Sequence, residues 1–149
     1  MWKIDLMEYH SQVNVRTLDG ESQIFCAIRG KWLVYQQEEL VRQLILQYLM
    51  TTKGIRKLSI IVEKNTGLKH HDRIDIAVMN KGAIPFLLIE CKIWTEPINQ
   101  TVLNQVGRYN NQLEYPYCWI SNAKENFLFH YNKSDNTYTQ ISDFPIGYS

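Results

Sequence analysis

The 149-residue chain has little that would staple it, anchor it or divide it. Its three cysteines, Cys26, Cys91 and Cys118, lie far apart, with no C-x-x-C spacing. That argues against a disulfide framework or a structural zinc site and leaves three free, mostly buried thiols. No run approaches ~18 consecutive apolar residues, so no membrane-spanning helix is expected. The stretch Met1-Trp2-Lys3-Ile4-Asp5-Leu6 lacks the apolar core and small-residue cleavage site of a signal peptide. The expected compartment is therefore the cytoplasm. Internal repeats, low-complexity runs and Pro/Gly/Ser-rich linkers are absent, so one domain over residues 1–149 is expected, large enough to bury a core. Charge of one sign is also scarce. Sixteen basic residues against fifteen acidic ones leave a net +1, so any polyanionic partner must be met by a local basic patch. No G-x-x-x-x-G-K-[ST] loop occurs, which excludes a built-in ATP-driven motor.

What is present reads as an ordinary folded protein, 45% hydrophobic and 12% aromatic. Residues 24–28 and 32–35 flank the turn Arg29-Gly30-Lys31 and predict a β-hairpin. Leu40, Leu44, Ile45, Tyr48 and Leu49 recur at helical spacing over residues 37–51, and Gly54 supplies a stop. Residues 58–63 form a short β-branched run, hence a strand. Residues 74–79 and 86–93 are strand-like and joined by Asn80-Lys81-Gly82-Ala83-Ile84-Pro85, which predicts an antiparallel hairpin. An amphipathic helix follows over residues 99–113, then strands at 117–121 and 127–131, then a polar tail with one edge strand. Strands before and after helices predict an α/β fold with a mixed central sheet flanked by α-helices.

One constellation stands out. Side chains alternate across a strand, so Phe86, Leu88, Glu90 and Lys92 share one face and Leu87, Ile89, Cys91 and Ile93 the other. Two charges at the end of an apolar strand would cost several kcal/mol if buried without partners. A hairpin folded about Gly82-Ala83 sets Asp75 across from Glu90, with Cβ atoms roughly 5 Å apart. Carboxylates that close repel unless a proton or a cation lies between them. With Lys92 beside them, the pair suits a hard divalent cation, most naturally Mg²⁺, with Mn²⁺ as its substitute. Such a site can polarise a phosphodiester and activate water, while Lys92 orients or deprotonates that water or offsets phosphate charge. The bland alternative is an ion pair closing a strand end, Glu90 with Lys92 or Arg73.

Arg73-Ile74-Asp75 followed after a gap by Leu88-Ile89-Glu90-Cys91-Lys92 resembles the signature of the PD-(D/E)xK nucleases. More narrowly, residues 24–122 resemble the amino-terminal domain of type I restriction enzyme R subunits, in a short free-standing form. The likeness runs through Ile24-Phe25-x-x-Ile28-Arg29, Trp32-Leu33-Val34, Glu38-Glu39-Leu40-Val41-Arg42-Gln43, the two segments above and Gln105-x-x-x-Tyr109. It implies a restriction-endonuclease-like core and a magnesium-dependent nuclease acting on DNA. It also implies catalytic roles for Asp75, Glu90 and Lys92, and metal ligation by Asp75, Glu90 and Glu39. Isoleucine precedes Asp75 where the signature has proline, at a position the family leaves loose. Gln105 and Tyr109, one helical turn apart, are expected to approach the site and the DNA backbone, with Arg108 on the same helix reaching phosphate.

The stretch 53–73 holds Lys53, Arg56, Lys57, Lys64, Lys69 and Arg73 against Glu63 and Asp72. A solvated face is one reading. A phosphate-binding loop leading into Asp75 is the other, with Lys64, Lys69 and Arg73 as its cations. His70 and His71 are poor metal ligands, since neighbours on a strand point apart. Trp2, Trp32, Trp94 and Trp119 are mostly core, although Trp94 lies near enough to Lys92 to stack on a base. The rival to a nuclease is a nucleic-acid-binding or accessory module that keeps the fold without cutting. Cutting both strands with one site per chain favours a homodimer.

Overall fold

The computed structural model describes residues 1–69 and 72–149. His70 and His71 therefore lie outside the described residues. Nine strands and two α-helices follow in the order β1 (Val15–Leu18), β2 (Glu21–Cys26), β3 (Lys31–Val34), α1 (Gln37–Gln47), β4 (Ile60–Asn65), β5 (Arg73–Asn80), β6 (Ile84–Cys91), α2 (Gln100–Leu113), β7 (Tyr117–Ser121), β8 (Asn126–Asn132) and β9 (Thr137–Ile141). The first three form a small antiparallel sheet. The other six form a mixed sheet in sequence order, antiparallel throughout except for the parallel β6–β7 pair. That single parallel step requires a crossover, and α2 supplies it. The fold is α/β, as the sequence predicts.

Each face of the six-stranded sheet takes one helix. α1 buries Leu40, Val41, Leu44, Ile45 and Leu46 against Ile76, Val78, Leu87 and Ile89. Its last turn widens into a π turn, Tyr48–Thr52, and Gly54 at φ +65° then releases the chain in a conformation that favours glycine. Trp119, fully buried, centres the aromatic part of this core, with Trp2 at 4.8 Å and Tyr48 at 5.8 Å. α2 covers the opposite face, packing Val106 and Tyr109 over Ala77, Leu88, Cys118 and Ile120. The Asn99 side chain caps it by accepting from the Val102 N–H. The wholly buried Asn110 amide clamps both backbone groups of Tyr115 just past its end.

The β5–β6 hairpin falls where the sequence predicts it, with one departure. Val78 pairs with Leu87 but Met79 with Pro85, so Phe86 is an extra residue in a β-bulge. Phe86 consequently packs on the α1 side beside Leu87 rather than alternating with it. The bulge also sets the register beyond it at Ile76–Ile89, one step short of bringing Asp75 opposite Glu90. The sequence reading misses β1 and the 3-10 turn Leu6–Gln12, and starts β4 two residues early, where a 3-10 turn, Lys57–Ser59, occupies the chain. All three cysteines are free and buried. Trp2 and Trp119 are core residues, while Trp32 and Trp94 are half-buried, Trp94 against the α1-side cluster.

Candidate active site

Asp75 and Glu90 meet at the end of the β5–β6 hairpin away from its turn, and both are largely shielded from water. Glu90 is 7% exposed, and the Asp75 side chain 15%. Asp75 Oδ2 accepts from the Cys91 N–H at 2.7 Å, replacing the next rung of the β-ladder. The two carboxyl groups lie close enough for each to disfavour the charge of the other. Burial first, and then Glu90, push Asp75 up to about 8, against the opposing pull of the Cys91 N–H and Arg42. From α2, the Tyr109 hydroxyl donates to Glu90 Oε2 at 2.5 Å. Burial followed by the charge of Glu90 pushes that phenol far up, so Tyr109 serves as a neutral donor.

Arg42, only 3% exposed, reaches the pair from α1. Its guanidinium lies 3.4 Å from Glu39, 3.5 Å from Glu63 and 3.6 Å from Asp75, with Glu38 at 4.0 Å. Burial opposes its charge, but the surrounding acidic groups outweigh burial and its pKa is raised. Glu39 is held from both sides, since the buried Gln43 amide donates to its Oε2 while Gln43 Oε1 accepts from the Ala27 N–H. Glu63 adopts φ +50°, a left-handed conformation costing roughly 1–2 kcal/mol in a non-glycine residue. It stands between the Val62–Ile76 and Lys64–Ile74 pairs, opposite Asp75, and its carboxylate also binds Arg29 at 2.8 Å and Arg73 at 3.8 Å. Backbone strain of this kind gathers where a side chain must be aimed.

Half of the expected site residues gather here. Asp75, Glu90 and Tyr109 lie together, Glu39 joins through Arg42, and Arg73 joins through Glu63. β6 ends at Cys91, and the Lys92 N–H still donates to the Ser121 carbonyl of β7. The Lys92 ammonium acts on Glu38 of α1, opposing the rise that burial and Asp75 impose on that carboxyl. Gln105, a turn before Tyr109, is exposed. Lys64 is half-buried beside Glu63, and Lys69 is exposed in the bend beyond it. Arg108 lies on the other flank of α2, lining a separate cleft. Arg56 belongs to the opposite end of the sheet, where it donates to Tyr148 and the Ser149 carbonyl.

Among the described residues no three His, Cys, Asp or Glu side chains are grouped as a metal-holding set. The cation among these carboxylates is Arg42. In the sequence Arg42 stands inside the run Glu38-Glu39-Leu40-Val41-Arg42-Gln43. The signal for it was present, since an arginine three and four residues after two glutamates in an apolar helix is placed to pair with both. The bend at Glu63 has no local signal at all.

Residues 37–145 match the family described as the type I restriction enzyme R protein N terminus. No curated protein and no solved structure matches the chain. The matched span runs from the start of α1 past β9, taking in Glu39, Arg42, Asp75, Glu90, Lys92 and Tyr109. It also covers both helices and all six strands of the large sheet. The chain therefore belongs to the type I restriction enzyme R protein N-terminal family.

Proposed function

We propose that this chain is a metal-dependent nuclease acting on DNA, with the chemistry of the PD-(D/E)xK enzymes it resembles. The observation that carries the reading is the nearness of Asp75 to Glu90, two shielded carboxyl groups that raise the cost of charging each other. Structural ion pairs give no reason to hold two acids together. The hard oxygen donors of the pair are those a magnesium ion takes, so the residues fit that ion. Asp75 and Glu90 would hold it, and Glu39 would join once Arg42 no longer stands between Glu39 and Asp75. When bound, such an ion polarises the phosphodiester and lowers the pKa of a coordinated water.

The remaining work falls to the chain's own residues. Tyr109 keeps the Glu90 carboxylate oriented by donating to it. The Cys91 N–H fixes Asp75. Lys92, at the rim, orients the attacking water or offsets charge on the phosphate. Arg73, Lys64 and Lys69 flank the mouth as phosphate contacts, and Gln105 faces the DNA backbone from α2.

The experiment is nicking of supercoiled plasmid by purified protein. Cutting is expected with Mg²⁺ or Mn²⁺ and none in EDTA, with Asp75→Ala and Glu90→Ala inactive. Lys92→Ala should lose about 10²- to 10⁴-fold in rate while Mn²⁺ still binds, because an ammonium is no ligand. Wild-type cutting by Lys92→Ala would remove the assignment. One observation favours a second reading, a non-cutting accessory module. Arg42 already neutralises the acidic cluster without a metal. Thermal melting across a Mn²⁺ titration separates the two, since only a protein that binds the ion gains stability by mass action.

A further inference from the structure

A cleft of about 620 Å³ lies on the far flank of α2 from Arg42 and Asp75. α2 covers the middle of the large sheet and leaves the β8–β9 part of that face open. Phe127 and Phe129, two apart on β8 and thus on one side of the sheet, form the floor and are only half-buried. Tyr138 closes one wall. Its hydroxyl donates to the Gly107 carbonyl and bonds Asn111, which pins β9 to α2. The polar rim is made of primary amides, Asn104 and Gln140 among them, together with Arg108. Among the described residues no acidic side chain lines the cleft.

We propose that this cleft is a base-stacking subsite for an unpaired nucleotide, with Phe127 and Phe129 as the platform and Arg108 at the phosphate. Paired aromatics on an open sheet face stack bases whatever their sequence. Amides, each donor and acceptor, meet the hydrogen-bonding edges of a base. A lone guanidinium with no competing carboxylate suits an anionic backbone and disfavours an acidic peptide.

Position ties the cleft to the carboxylate pair. Phe127 pairs with Ile120, and Ile120 is the register partner of Glu90 on the neighbouring strand, so the floor begins two strand spacings, about 9.6 Å, from the Glu90 backbone. Residues 92–99 connect Lys92 to the first turn of α2, where Gln100 already lines the cleft. A single strand rounding the start of α2 reaches both places. The subsite thus deepens the nuclease reading, on which it rests, by naming a substrate with an unpaired stretch beside the cut.

The test measures binding of a fluorescein-labelled single strand of about 12 nucleotides in EDTA, alongside Mg²⁺-dependent nicking of plasmid. The variant is Phe127→Leu/Phe129→Leu, which keeps apolar packing and removes the stacking surface. Loss of about 5- to 150-fold in single-strand affinity is expected, with the fold retained by circular dichroism. Arg108→Ala should weaken binding and reduce its salt dependence. Wild-type affinity in the double Leu variant, or no single-strand binding by the wild-type protein, overturns the subsite. A wild-type dimer that the Leu substitutions dissociate also overturns it, because a second copy then fills the cleft. Absent nicking with Phe-dependent binding would instead remove the nuclease reading and leave the cleft as a single-strand site.

Discussion

At its turn end, the β5–β6 hairpin is tied to the end of the chain by neutral hydrogen bonds. Asn80 donates to the Gly147 carbonyl and accepts from the Ser149 N–H, and the Lys81 N–H donates to the Ser149 carbonyl. Arg56 adds its bonds to Tyr148 and Ser149 there, all at exposed positions. At the other end, the same two strands bring together carboxylates that repel, in a setting with little water to screen them. One end satisfies its polar groups cheaply. The other keeps an arrangement that folding alone gives no reason to build, relieved by the Cys91 N–H, the Tyr109 hydroxyl and Arg42. A hairpin that is relaxed at one end and electrostatically loaded at the other points to chemistry at the loaded end.

Breaking that comparison is easiest at Arg42. Substituting Arg42→Met removes the buried cation facing Glu39, Glu63 and Asp75, with Arg29 and Arg73 left to Glu63 alone. Loss of about 3–5 kcal/mol of unfolding free energy is expected in urea titrations. Much of it should return on adding Mn²⁺. A loss under about 1 kcal/mol would mean that the cluster is not strained and that the two ends differ only in appearance.

The next effect is on pH. Asp75, raised to about 8, binds its proton more tightly folded than unfolded, where an ordinary aspartate titrates near 4. The folded state therefore holds the extra proton across that window. Stability from this group is complete below about pH 4 and falls as pH rises towards 8, by at most about 1.4 kcal/mol per pH unit. Urea midpoints for the metal-free protein at pH 5.5 and 8.5 should show the decline, and Asp75→Asn should flatten it. Because proton and cation compete for the same oxygens, Mn²⁺ affinity should rise over the same range. Stability that increases from pH 5.5 to 8.5 would contradict the proton on Asp75.

Local pattern announces most of the fold. Apolar repeats at 40, 44, 45 and 49 mark α1, and Gly82 marks the hairpin turn, because each signal acts within a few residues. The Asp75–Glu90 meeting was also legible, although it depends on the bulge at Phe86, which restores the register that a simple count about Gly82-Ala83 assumes. Three features arise from tertiary contact, and local pattern signals at most a part of each. The place of Arg42 among three acids depends on how α1 crosses the sheet. The left-handed Glu63 answers the charges around it rather than its own sequence neighbours. Arg56 looks like part of the basic stretch leading to Asp75, yet the 3-10 turn Lys57–Ser59 and the full length of β4 carry the chain from one end of the sheet to the other.

The smallest effect sharpens the comparison of ends through salt dependence. Lys64 on β4 is a neighbour of Glu63 and so belongs to the loaded end, while Arg56 belongs to the relaxed one. Each duplex phosphate that the protein ceases to neutralise should reduce the slope of log affinity against log salt by about 0.9. Lys64→Ala is accordingly expected to lower the slope by about that much, with an affinity deficit that shrinks as salt is raised. Arg56→Ala should leave both slope and affinity unchanged. It should cost instead about 0.5–1.5 kcal/mol of stability, because its hydrogen bonds to Tyr148 and Ser149 go unmade. Fluorescence anisotropy with a labelled duplex in EDTA, from about 50 to about 200 mM salt, measures both variants without cutting. Equal slope changes for the two would mean that DNA crosses the whole sheet rather than its carboxylate end, and Arg56 would then return to the binding surface from which its place in the fold removes it.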